Sequence, residues 1–234
     1  MQFNSKQTKQ NALNSIKSVN PSPYAVSMVF YIVVGFVASI ETINPDNVLL
    51  KIIATLISFV VSFFVVGLQW YMLEVSRSSS ADPTTILEVL SKAGSVIVLL
   101  ILITIKTLLW SLLLVVPGLI KAMAYSQSIY ILHDHPDWTP SQCIAESERL
   151  MQGHKAEYFL FGLSFIGWGI LSSFAMELVV VVFIQFLPAI IVMPLMYVVV
   201  SPLCAYMYVS YSHYYNQLLV EQYDKNMSMP EYKY

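Results

Sequence analysis

The chain has 234 residues, 57% of them hydrophobic and only 11% charged, with a mean hydropathy of +0.66 and a formal net charge of −2. A soluble domain carries about 25% charge, so a water-facing surface over most of the chain is excluded, and with no basic excess no nucleic-acid partner is expected. Two cysteines, Cys143 and Cys204, stand far apart in no pairing motif and are expected as small buried or interfacial thiols rather than a disulfide.

An apolar run of roughly 18 residues or more marks a membrane helix, since a helix rising 1.5 Å per residue needs about 20 residues to cross the hydrocarbon core. Residues 1–23 are polar, carry Lys6, Lys9 and Lys17, and are expected as a cytoplasmic tail. The run that follows is long for a signal-peptide core and leads into further helices, so it is expected as an uncleaved first span, 24–40. Glu41, Asn44, Pro45, Asp46 and Asn47 form a short polar turn before a second span, 48–73. Residues 74–92 are polar, with Glu74, Arg77, Asp82, Glu88 and Lys92. From Asp82-Pro83 a short amphipathic helix, with Ile86, Leu87 and Leu90 on one face, runs into the third span, 94–116. Pro117-Gly118 interrupts the run, and the piece 117–132 either crosses or is re-entrant. The last run, 158–213, has Glu177, Gln185 and Pro188 near its middle and is assigned two spans, 158–180 and 190–213.

These runs predict an all-α fold, a polytopic integral membrane helical bundle of about six transmembrane helices with short amphipathic helices on the cytoplasmic surface. One transmembrane domain covers 24–215, and 216–234 form a cytoplasmic tail. The positive-inside rule counts Lys and Arg. If 117–132 crosses, Lys6, Lys9, Lys17, Arg77, Lys92, Arg149, Lys155, Lys225 and Lys233 fall inside, with Lys51 and Lys121 outside. Six spans with both termini cytoplasmic are therefore preferred. Tyr206, Tyr208, Tyr211, Tyr214 and Tyr215 fit either an aromatic belt at the inner interface or packing between helices.

Thr139-Pro140-Ser141-Gln142 has the form of a helix start, with Thr139 as N-cap, Pro140 in the first turn and Gln142 closing a capping box. Gly153 marks the end of this surface helix, 140–152. Cys143, Ile144, Ser147, Leu150 and Met151 share one face, which is expected to lie along the inner membrane surface. Each amphipathic helix joins an inward-running span to an outward-running one, which suggests a span–surface helix–span repeat used twice.

Lys106 lies near the centre of the third span, and an ionisable residue at that depth is a functional candidate because burying it unpaired is costly. The plainer alternative is that it bonds to backbone or Ser/Thr groups within the bundle. Glu177 is the acid well inside an apolar run, and its depth is nearer that of Lys121. His133-Asp134-His135-Pro136-Asp137 has metal-ligating side chains, but it is a loop before a capped helix and is read as turn chemistry. No metal, cofactor or catalytic residue is expected, since no HExxH, GxSxG, Walker-type or dinucleotide motif is present. Gly162, Gly167 and Gly169 are read as close-packing positions between helices.

Two stretches carry a family resemblance. The first runs from Leu109-Trp110-Ser111 through Val116-Pro117-Gly118-Leu119-Ile120-Lys121 to Tyr125 and Tyr130. The second joins Ser147, Leu150-Met151, Gly153, Lys155 and Phe159 to Leu163-Ser164-Phe165-Ile166-Gly167-Trp168. Together they resemble the domain-of-unknown-function 975 family of bacterial polytopic membrane proteins, well over 95–170 and elsewhere by hydropathy. The chain departs near its end, where Pro202-Leu203 stands in place of the family's glycine-rich turn and Pro-Tyr pair. The resemblance implies a bacterial plasma membrane and several spans, and it implies no activity. Lys121 and Lys155 beside these motifs serve as headgroup anchors or as ligands.

The leading expectation is a non-enzymatic protein that sits in the lipid bilayer and acts on a membrane protein or peptide partner, in an accessory or immunity-type role. A small transporter or channel with a midplane site at Lys106 is the alternative. An intramembrane lipid-modifying enzyme is a third, and it needs a second polar residue beside Lys106 or the 133–137 loop.

Overall fold

The computed structural model describes residues 3–43 and 46–228. Asn44 and Pro45 of the expected first turn, and Lys233 of the tail, lie outside the described residues, as do the side chains of Glu41 and Lys225. Among the described residues the chain is all-α, with no strand. Five stretches are long and apolar enough to cross a membrane: Pro23–Ile40, Val48–Arg77, Ala93–Leu113, Lys155–Phe183 and Ala189–Asp224. This is a membrane protein built as a helical bundle.

Helix α1 (Ser5–Ser18) lies across one end of the bundle. Helix α2 (Pro23–Ile43) leads away from that end and α3 (Val48–Arg77) returns to it. After the short α4 (Thr85–Ser91), α5 (Ala93–Leu113) leads away again, and α6 (Val115–Tyr125) with α7 (Ser128–Asp134) returns. Helix α8 (Pro140–Leu150) precedes a third outward leg, α9 (Lys155–Leu163) and α10 (Ile166–Phe183). The long α11 (Ala189–Ser228) closes the path.

Contacts fix these directions. Helices α2 and α11 are antiparallel, because Ser27 Oγ donates to the Ser201 carbonyl at 3.1 Å while Gly35, further along α2, meets Pro194, nearer the start of α11. Thr8 Oγ1 donates to Gln217 Oε1 at 3.1 Å, and Ser15 Oγ lies 2.9 Å from His213 Nε2. The first and last helices therefore meet at the same end, and the number of legs is even.

The stretch expected as a single span at 117–132 is two short helices. The chain reverses at Leu114, in extended conformation, three residues before the proline. Pro117 sits in the first turn of α6, where its missing N–H costs nothing. Gly118 lets α6 close on Ser111 of α5. The return leg then breaks at Ser126-Gln127, and Ser147 of α8 fills the break: its Oγ accepts the Gln127 N–H at 3.1 Å and donates to the Ala124 carbonyl at 2.7 Å.

That contact explains a second departure. Helix α8 starts as its sequence predicts: Gln142 Oε1 accepts the Thr139 N–H at 2.8 Å, and Gly153 beyond its end has φ +84°. Its apolar face, however, is buried against α5, α6 and α7 rather than laid on lipid. Cys143, Ile144 and Leu150 join Trp70, Leu99, Tyr125, Ile131 and Tyr215 in one core. Helix α4 is separated from α5 by a break at Lys92, and it turns Thr85 and Val89 inward while Leu87 and Leu90 face out.

The expected N-terminal tail is ordered. Asn4 caps α1 by accepting the Gln7 N–H at 3.1 Å, and Thr8, Ala12 and Ile16, spaced one helical turn apart, are buried. Helix α11 likewise runs on well past 213. Two prolines lie inside it. Pro202 deprives the Val198 carbonyl of its helical donor, and Ser201 Oγ donates to that carbonyl instead at 2.9 Å. The tyrosines of α11 pack between helices: Tyr214 and Tyr215 are buried, Tyr215 stacks on Tyr130, and Tyr211 meets Phe161 edge-on.

Candidate functional site

Of the three polar residues singled out in the apolar runs, two converge. Lys106 on α5 and Lys121 on α6 approach the ring of Tyr125, with Nζ to centroid distances of 5.8 and 5.9 Å. Lys121 also lies 5.1 Å from the ring of Trp110 and forms an ion pair with Glu148 of α8. Each lysine thus faces the negative face of an aromatic ring. One acid serves two cations, and Lys106 has no ion pair among the described residues. Beside it, Thr107 Oγ1 is buried without a hydrogen-bond partner. The cluster carries one uncompensated positive charge at the hairpin of α5 and α6.

Glu177 does not join this cluster. It sits exposed on α10, a helix that packs chiefly against α11 and has no buried residue. Gly167 and Gly169, expected between helices, face open space, whereas Gly162 approaches the Tyr211 hydroxyl. Trp168 on the same helix is 58% exposed. The close-packing glycines are elsewhere: a Cβ on Gly67 would run into the Ile86 carbonyl, and one on Gly35 into the Pro194 backbone.

At the end where the termini meet, a polar network ties three helices together. Arg77 donates to both oxygens of Asp134, at 2.6 and 2.7 Å, and through Nε to Asn216 at 2.9 Å. Tyr215 donates to Asp134 at 2.9 Å. Asp134 lies beyond the apolar run that ends at Leu132. Burial works against its charge, but the hydrogen bonds from Arg77, His133 and Tyr215 and the Arg77 charge together outweigh that and hold the carboxyl well below the usual range. The His133–Asp137 stretch is accordingly dispersed: His133 packs on Trp70 and His135 stacks on Trp138. No group of three or more His, Cys, Asp or Glu side chains able to hold a metal occurs among the described residues. Cys143 and Cys204 are free thiols.

The remaining motif residues are joints. Met151 packs with Phe161, Phe165 and Tyr214, and Gly153 with Lys155 turns the chain into α9. Phe165 lies at the break between α9 and α10. Lys9 of α1 caps that break, donating to the Ser164 carbonyl at 3.2 Å with its Nζ 4.1 Å from the centroid of Phe165. A family model described as a protein of unknown function, DUF975, matches residues 1–222. The chain belongs to this family. The match extends from α1 into α11, well beyond the stretch 95–170 where the motifs lie, so for DUF975 the N-terminal helix belongs to the pattern. No curated protein and no solved structure matches this DUF975 chain.

Proposed function

We propose that this DUF975 protein is a non-enzymatic protein of the bacterial plasma membrane that acts by binding a membrane partner, in an accessory or immunity-type role. Both termini face the cytoplasm in this reading, and α6 with α7 supplies the sixth leg. The observation that carries it is Glu177. A charged side chain facing lipid costs up to about 3 kcal/mol at the bilayer centre, and among the described residues none pairs with Glu177 on α10. A partner helix bringing a cation or an N–H or O–H donor would. The open backbone at Gly167 and Gly169 leaves room for close approach on the same helix.

The test is a photocrosslinking residue at Phe174, which is 71% exposed on α10, used in native membranes. A discrete protein or peptide adduct is expected, falling at least tenfold in Glu177→Leu. Lipid adducts alone, or an adduct indifferent to Glu177→Leu, would refute the reading.

Lys106, which has no ion pair among the described residues, favours a second reading, an anion pathway through the α5–α6 hairpin. Lys106→Met is then expected to abolish anion flux in reconstituted vesicles. Absence of wild-type flux, or flux unchanged by the variant, sinks it.

A further inference from the structure

Glu177 on α10 and Lys106 on α5 are opposite charges in apolar runs, and neither makes an ion pair among the described residues. Lys121, the other cation of the α5–α6 hairpin, is taken by Glu148. Each leftover charge is costly in lipid, and one contact between them offsets both costs. They do not meet within one chain. Helix α10 packs chiefly against α11, while Lys106 lies at the ring of Tyr125 in the hairpin. A second copy of the chain carries the charge that each lacks.

Their placement suits such a contact. Helix α9 packs on α6, so α10, which follows α9, and the hairpin flank the same side of the bundle. Along its run Glu177 is nearer in depth to Lys121 than to Lys106, and the hairpin narrows that gap, since both ammonium groups reach the ring of Tyr125. The surfaces also match in shape. Ser173, one turn before Glu177, is exposed, and Gly167 on the same outward side faces open space. Leu109 and Leu113, which share the stripe of Lys106 on α5, are large and exposed. Small positions on one helix against large ones on the other allow close approach in lipid. In a two-fold dimer each residue meets its counterpart reciprocally, so both charge pairs form at once and neither copy keeps a leftover charge.

We infer that the partner met by Glu177 is a second copy of this chain, docked two-fold so that Glu177 of each copy pairs with Lys106 of the other. The inference rests on the reading of α10 as a partner-binding helix and names the partner.

The experiment is Förster transfer between donor-labelled and acceptor-labelled copies of the full chain, reconstituted in phosphatidylcholine vesicles over a range of protein-to-lipid ratios. Saturable transfer is expected for the wild type. Glu177→Lys alone and Lys106→Glu alone should each weaken association by about tenfold or more, because both contacts then oppose like charges. Donor-labelled Glu177→Lys mixed with acceptor-labelled Lys106→Glu should restore it, because both contacts are complementary again. Ser173→Phe should weaken association without touching a charge, and Leu171→Phe, exposed on α10 away from the Glu177 face, should not. No saturable transfer by the wild type would overturn the inference. So would a mixture that restores nothing while Ser173→Phe behaves as wild type. Restoration by the two substitutions in one chain, but not by the mixture, would place the pair within a single copy and also overturn it. A Phe174 adduct to a different protein, with no transfer between copies, overturns the second copy and leaves α10 as a partner-binding helix; lipid adducts alone remove both.

Discussion

Ser147→Ala isolates the stitch that holds the return leg together. The Ser147 hydroxyl is fully buried and bonds two backbone groups at the break between α6 and α7, accepting from Gln127 and donating to Ala124. Alanine removes one oxygen atom and leaves almost no void, so the cavity term is small. What remains is a buried N–H with no acceptor, costing about 1–3 kcal/mol, and a carbonyl that loses one of its donors, costing less. A loss of about 2 kcal/mol follows, equivalent to roughly 4–8 °C in Tm for a chain of this size. Thermal unfolding in mild detergent measures it, with Ser141→Ala on the exposed face of α8 as the control. Hydrogen bonds between membrane helices average about 0.6 kcal/mol. A loss no larger than that would mean the Gln127 N–H finds another acceptor and that α8 does not hold the break.

Three further outcomes follow from the packing. Gly67→Ala drives a methyl into the Ile86 carbonyl and is expected to cost about 1–3 kcal/mol, whereas Gly167→Ala, facing open space, should fall within about 0.5 kcal/mol of wild type; both are read by detergent unfolding. Asp134→Asn removes the charge that Arg77 grips and is expected to cost about 2 kcal/mol, less than for a fully buried pair because Arg77 is partly exposed. The folded Asp134 carboxyl lies below its unfolded value of about 3.9, so its contribution is complete above that pH and is lost as pH falls through the folded value; unfolding curves at neutral and acid pH should show this acid-side loss in wild type and not in Asp134→Asn. Lys9→Met removes the donor to the Ser164 carbonyl and should expose α1 to limited proteolysis while leaving helical content unchanged.

The five long apolar stretches and the capped start of α8 were legible because hydropathy and capping chemistry are local. What α8 packs against was not. Its amphipathic face suits a lipid surface or a protein core equally well, and the choice is made by residues such as Ala124 and Ile131 far away in the chain. Helix α1 was hidden for a related reason: its buried stripe is Thr8, Ala12 and Ile16, too thin to stand out in a polar sequence. Lys106 and Lys121 were individually visible, but their convergence depends on where α5 turns. The proline marked the neighbourhood of that turn, and the reversal itself is at Leu114. Asp134 had been set among turn residues, and Arg77 counted only as an inside charge. Their pairing joins α3 to α7, which no local pattern records. Glu177 drew notice for its depth, and only the assembled bundle shows that it faces outward.

The contact between Thr8 and Gln217 spans 209 residues. During synthesis at about 5–20 residues per second, the first helix is made roughly 10–40 s before the surface it docks on. Throughout that interval its thin apolar stripe has no docking surface on α11, and Lys9 has no carbonyl to cap until the ribosome has passed Ser164. The two attachments form in sequence, first at the break between α9 and α10, then along α11. Seating of α1 along α11 thus registers that the last leg has been delivered, and a chain that stalls before it leaves α1 held only by its packing on α3 and, once made, by the break between α9 and α10.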